Sequence, residues 1–180
     1  IHAGFADRFV PEADWPALKA ALVETGDAGA AAAAASAAPD SPLAAAAGEI
    51  DRLFAGPGLA GIRAALATAD GELARKAAEA MARNSPLSMA TALELIRRQR
   101  PAAGPEAIGR ALELEYRATA RSMEHGDFVE GIRAAIIDRD RQPRWRHDLD
   151  GVTAEDAQAM LAPLPPDIPA LDLPADPKGA

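Results

Sequence analysis

The chain has 180 residues, 49% of them hydrophobic, with no cysteine and a formal net charge of −8. The acidic balance argues against a nucleic-acid face, which needs a basic patch to neutralise phosphates; the missing cysteines exclude a disulfide scaffold, thiol nucleophiles and Cys-ligated zinc; and no apolar run approaches the roughly 20 residues of a membrane span. Leu, Ile, Val and Phe together number 34 of 180, so the core they can build is thin and burial must come largely from docking onto something else.

The opening "IHAGFADRFV" reads as a short extended piece without a basic-then-apolar leader, so the chain is expected to begin within a longer protein; the missing cysteines fit a cytoplasmic setting. Residues 1–25 make an entry segment and a first helix, with Asp14 as N-cap, Pro16 in the first turn, and Leu18, Ala21, Leu22 and Thr25 inward. Residues 26–48 hold one large apolar residue, Leu43, and read as an alanine-rich linker, partly helical at most. Residues 49–162 are expected to be a helical subdomain.

Within that subdomain, Ile50, Leu53 and Phe54 mark a turn or two before the breaker Gly56-Pro57-Gly58. Leu59, Ile62 and Leu66 mark the next helix; Leu73, Ala77, Ala80 and Met81 mark another, capped by Asp70. Asn84 or Ser85, followed by Pro86, starts a helix with a stripe of Met89, Leu93 and Ile96 and arginines in its last turn, stopped by Pro101 and Gly104. The longest helix is predicted from Pro105 to Glu124, with Ile108, Leu112, Tyr116, Thr119 and Met123 as its stripe and Gly126 ending it. Asp127 and Glu130 then read as a capping-box pair, and Thr153 with Asp156 as another. Residues 163–180 form a tail rich in proline and aspartate, disordered or strapped over a surface. With no strand beyond the first residues, the class is all-α.

The chemistry-bearing residue types give no catalytic constellation. His2, His125 and His147 lack metal-ligand spacing, no serine lies in a Gly-x-Ser-x-Gly elbow, and Glu113/Glu115 and Asp138/Asp140, two apart on a helix, point to different faces. No catalytic residue and no metal site are predicted. One segment stands apart. Phe128, Ile132, Ala135 and Arg139 follow at steps of four, three and four, so Arg139 is expected to continue an apolar helical stripe; Arg141, Arg144, Arg146 and His147 follow around Pro143 and Trp145. One reading is an amphipathic helix whose last arginines suit the helix dipole, with Trp145 covering the core. The other is an anion site, guanidinium groups for phosphate beside an apolar wall.

The stretches "GFADRFVP", "NSPLSMATALELIRR" and "ELEYRATARSMEHGDFVEGIRAAIIDRDRQPRW" resemble the C-terminal third to half of 3-hydroxyisobutyryl-CoA hydrolases, a branch of the crotonase (enoyl-CoA hydratase/isomerase) superfamily. The resemblance runs from Gly4 to about Leu161, and the helical segment between Gly26 and Ala82 looks like the branch's insertion. It departs at Asp7 and Arg8, where the family usually has threonine and histidine, and at Arg139, commonly lysine. The resemblance implies the helical C-terminal region of a crotonase fold, without the N-terminal β/α spiral core that carries the oxyanion hole and the catalytic carboxylates. It implies a part that closes the CoA tunnel and makes oligomer contacts in a thioester hydrolase of valine catabolism, inactive alone. An enoyl-CoA hydratase/isomerase portion, or a helical interaction module without enzymatic function, are the alternatives. Acyl-CoA, the missing core and further copies of the chain are the implied partners, with no membrane or nucleic acid and no cofactor beyond substrate coenzyme A. Arg139, then Arg133 or Arg141, would meet a CoA phosphate, while Asp127, Phe128, Glu130, Gly131, Tyr116 and Trp145 would be structural.

Overall fold

A computed structural model describes residues 1–100 and 106–172. These divide into two compact units, Ile1–Arg52 and the chain from Leu53 onward. Among the described residues there is no strand; a lone bridge pairs Phe9 with Ser36.

In the first unit, Trp15–Thr25 (α1) follows a 3-10 turn at Glu12–Asp14, and Asp14 stands at the N-cap without bonding through its side chain. Gly26 ends α1 at φ 66°, a left-handed position that suits a residue lacking Cβ. A short helix, Gly29–Ala33 (α2), begins where the Gly29 amide donates to Asp27 Oδ1 at 2.7 Å. No residue of this unit is buried: α2 is almost all alanine with nothing large to bury, and Trp15, Leu22 and Val23 of α1 are exposed. The helix Pro42–Leu53 (α3) starts inside the range read as linker, where the Ala44 amide donates to Ser41 Oγ at 3.3 Å ahead of Pro42.

The second unit holds the core. Leu59–Ala67 (α4) and Glu72–Arg83 (α5) pack together and enclose Leu53, Leu59, Ile62, Leu66, Ala74 and Met81, with Leu93 and Val152 against them. Fully burying each such leucine contributes about 1.5–3 kcal/mol. The cap expected of Asp70 falls instead to Gly71, whose φ of 116° few side-chain-bearing residues adopt.

Pro86–Gln99 (α6) packs against Glu106–Ser122 (α7) and, more extensively, against Ala154–Met160 (α9). At the start of α6 the Ser88 amide donates to Ser85 Oγ at 3.0 Å, which decides between the two candidate caps. The box at α9 forms as expected: the Thr153 amide donates to Asp156 Oδ2 at 2.8 Å and the Asp156 amide to Thr153 Oγ1 at 3.2 Å. Pro101, Gly104 and Pro105 lie outside the described residues.

The stripe expected to face inward on α7 does not. Ile108, Leu112 and Met123 are exposed, and the half-buried positions of α7 include Leu114 and the small Ala111 and Ala118. Small residues let neighbouring helices approach, while Ile108, Leu112 and Met123 of the large stripe stay exposed among the described residues. The tail is strapped down as far as it is described: Arg121 Nη2 donates to the Pro163 carbonyl at 2.7 Å and the Tyr116 hydroxyl to the Pro169 carbonyl at 3.0 Å.

Candidate functional site

Phe128–Ile132 (α8) and the π-helical turn that continues it, Arg133–Ile137, carry the segment singled out in the sequence. Asp127 stands at the N-cap of α8, yet its carboxylate caps nothing. It is buried, accepts from Ser85 Oγ at 2.5 Å, and receives the Arg146 amide at 3.0 Å. Glu130 does not close a capping box either; it accepts the Arg144 amide at 2.7 Å. The two carboxylates thus hold the returning chain 144–146 against the start of α8. Long-range partners outcompeted the local cap, since a buried carboxylate needs its bonds wherever they are found.

Arg133 lies at the centre of the next layer. Its Nε and Nη2 donate to the Glu130 carboxylate at 2.9 and 2.8 Å, a bidentate pair. Its Nη1 donates to Asp138 at 2.6 Å and to Asp140 at 2.8 Å, and Nη2 reaches the Gln142 carbonyl at 3.1 Å. A guanidinium has five N–H groups, and these contacts use all five. Arg133, one of the candidates for phosphate, is therefore committed to the fold. The clamp shows in the acidities: the Arg133 guanidinium, helped by the Arg144 amide, holds Glu130 down to about 2. Asp140 is lowered by Arg133 and then by the Gln142 amide, and Arg133 is raised in turn.

Around this clamp the chain makes a tight loop. The Asp138 amide bonds the Arg133 carbonyl at 2.8 Å and the Arg141 amide the Ala134 carbonyl at 3.0 Å. Arg139 and Arg141 sit at φ 57° and 54°, the left-handed region that most side-chain-bearing residues avoid. Both side chains are exposed, and Arg139 Nε donates at 3.2 Å to the Ile136 carbonyl.

Arg139 therefore does not continue a helical stripe: the π-helical turn ends at Ile137, two residues before it. Nor is the expected stripe buried in this chain. Phe128 and Ala135 are exposed, Ile132 is half-buried, and Ala134 is the residue of the turn that packs inside. The i to i+5 bonding of a π turn shifts the facing side chains by one position relative to an α-helix. Trp145 lies against Gly131, donating Nε1 to the Arg83 carbonyl at 3.1 Å. Beside it, Leu87, Met89, Phe128, Ile132 and Ile136 line an open apolar groove. His125 is exposed beside Glu124, and His147 stands 3.9 Å from Asp156. Among the described residues no cluster of three or more His, Asp or Glu could hold a metal.

Sequence reasoning found the arginines but missed Ser85 and Asp127 as a pair, 42 residues apart, and missed the clamp. The one available signal for the clamp was the spacing of Glu130, Arg133, Asp138 and Asp140 around one arginine.

The sequence profile of the enoyl-CoA hydratase/isomerase family matches residues 1–161. The mitochondrial 3-hydroxyisobutyryl-CoA hydrolase of Rattus norvegicus is 39% identical over 75 residues, 41% of this chain and 20% of that protein. Its counterpart in Danio rerio is 35% identical over 107 residues, 59% of this chain and 27% of that protein. A crystal structure of an enoyl-CoA hydratase from Rhodobacter sphaeroides 2.4.1 superposes with a TM-score of 0.80 at 55% identity. A carnitinyl-CoA dehydratase from Mycobacterium thermoresistibile superposes with 0.79 at 36%. These cover 90% and 91% of this chain and 46% of each solved chain, so the chain spans under half of the solved proteins and about a quarter or less of the curated ones. The expectation of a cytoplasmic setting is overturned by these relatives, since the curated hydrolases are mitochondrial by name.

Proposed function

The chain belongs to the enoyl-CoA hydratase/isomerase family, with relatives among the 3-hydroxyisobutyryl-CoA hydrolases, and from that premise we propose that its helices are the tunnel-closing and subunit-joining part of an acyl-CoA thioester hydrolase. The catalytic core would lie outside these 180 residues. There an oxyanion hole would polarise the thioester carbonyl and a carboxylate would direct water, releasing coenzyme A and a 3-hydroxy acid. No residue of this chain takes either role.

One observation carries the reading. Ile108, Leu112, Phe128, Val129, Ile136 and Ile137 are all exposed along α7, α8 and the π turn, a stretch that ends in the loop of Arg139 and Arg141. Large aliphatic and aromatic residues in one stretch at this density mark a surface built to be covered. A covering core would place a CoA phosphate within reach of Arg139, whose guanidinium is better suited than an ammonium to a phosphate's geometry.

The test uses the complete protein with 3-hydroxyisobutyryl-CoA, following thiol release. A charge-assisted hydrogen bond contributes about 1.5–3 kcal/mol net, and about 1.4 kcal/mol is tenfold in affinity. Arg139→Ala should therefore raise KM about tenfold or more, with kcat and melting temperature little changed. An unchanged KM with a large loss of stability would return Arg139 to a purely structural role. Thiol release by the 180-residue chain alone would refute a core lying elsewhere. A second reading, an enoyl-CoA hydratase, draws on the 55% identity to the solved hydratase. Hydration of an enoyl-CoA without thiol release would favour it.

A further inference from the structure

We propose that Arg133 is the positioning residue for this loop, holding Arg139 where it meets the phosphate; the inference rests on the role of Arg139 proposed above. The residues that Arg133 Nη1 binds, Asp138 and Asp140, flank Arg139 on either side. Nη2 takes the Gln142 carbonyl, and the Gln142 amide returns to Asp140 Oδ1 at 2.8 Å, so the chain is closed around the guanidinium on both sides of Arg139 and Arg141. Those two residues keep a backbone conformation that glycine or asparagine would adopt at less cost. Long cationic side chains in two such positions, held there by three bonds from Arg133 to Asp138, Asp140 and Gln142, make sense where the side chains themselves are needed. A lysine at 133 keeps the charge but has three N–H groups and no planar fork, so it cannot reach Glu130, Asp138, Asp140 and Gln142 together.

The experiment is a double-substitution cycle on the complete protein, reading KM and kcat for 3-hydroxyisobutyryl-CoA. Arg133→Lys should raise KM about tenfold, the scale of losing one charge-assisted contact, with kcat within about twofold. In an Arg139→Ala background the same change should add less than about twofold, because Arg133 acts through Arg139. Equal multiplication of KM with and without Arg139 would overturn the inference, as would an unchanged KM in Arg133→Lys. If Arg139→Ala raises KM and Arg133→Lys does not, the positioning role alone fails; if Arg139→Ala leaves KM unchanged, the phosphate contact fails and the positioning role with it. Asp140→Asn removes one anchor while leaving the Glu130 pair, and carries the same cycle should Arg133→Lys fail to fold.

Discussion

Ser85→Ala removes one oxygen that does two tasks. That oxygen accepts the Ser88 amide at 3.0 Å, capping α6, and its proton goes to Asp127 Oδ2 at 2.5 Å. Losing an N-cap costs about 1 kcal/mol. Losing a bond to a buried carboxylate costs about 1.5–3 kcal/mol, since Asp127 keeps the Arg146 amide and no water reaches it easily. The two add to about 2.5–4 kcal/mol, which for a unit of this size lowers the melting midpoint by roughly 10 °C. Urea unfolding followed by far-ultraviolet circular dichroism gives the number directly. Ser88→Ala is the control, because Ser88 is exposed and contributes its backbone amide alone; it should change stability by less than about 0.5 kcal/mol. Equal midpoints for the two variants would refute the double role of Ser85. So would full additivity of Ser85→Ala with Asp127→Ala, since the pair shares one bond.

Glu130 sits at about 2, below its ordinary 4.5, so the clamp's contribution is complete above about pH 4.5 and is lost as pH falls toward 2; Asp140 is shifted the same way. With Trp15 replaced by Phe, Trp145 fluorescence should report that transition, and Glu130→Gln should shrink it to the part that Asp140 contributes; a signal flat from pH 5 to 2 would contradict the clamp. Gly56→Ala would set a Cβ 2.8 Å from the Gly61 carbonyl carbon, at a cost of about 1–3 kcal/mol, whereas Gly48→Ala in α3 meets open space and should stabilise by up to about 1 kcal/mol. The reverse order in urea midpoints would show the Gly56 turn to be slack. Elastase should nick the chain first after Ala37, in the exposed stretch between α2 and α3; earlier cuts within α4–α6 would contradict this order.

How far each feature could be read from sequence depended on the range of the interaction behind it. Thr153 and Asp156 are three residues apart and form their box; Asp127 and Glu130 have the same spacing and form none, because Ser85 and the amides of Arg144 and Arg146 offer them better partners from elsewhere in the chain. Ser85-Pro86 was legible as a helix start because a stripe of large residues follows it. Ser41-Pro42 is the same pair, but the alanines after it leave no stripe to mark the helix. On α7 the period was correct and the facing was not: Ile108 and Leu112 repeat at helical spacing but stay exposed. Periodicity marks a helix and a face, and the partner of that face is a fact about the assembled molecule. The clamp depended on the chain reversing after a π turn, which no local pattern announces.

The tail after α9 has its own consequence. Tyr116 and Arg121 on α7 grip it through the carbonyls of Pro169 and Pro163, and Arg117 reaches the carbonyl of Leu161. All three contacts read main-chain oxygen, which every amino acid supplies alike. The prolines at 163, 165, 166 and 169 offer no N–H of their own, and the Ile168 amide closes a turn on the Pro165 carbonyl at 3.1 Å. Side chains are read where they are covered: Leu164, Ile168 and Leu171 are half-buried and line a hollow beside Glu113, Tyr116 and Arg117, whereas Pro165, Pro166 and Asp167 are exposed, so the strap tolerates change at its turn and resists it at the three aliphatic positions. A free peptide would therefore need the turn and aliphatic residues at those three places to fit the same donors, which makes this edge of α7 selective for sequence as well as for backbone.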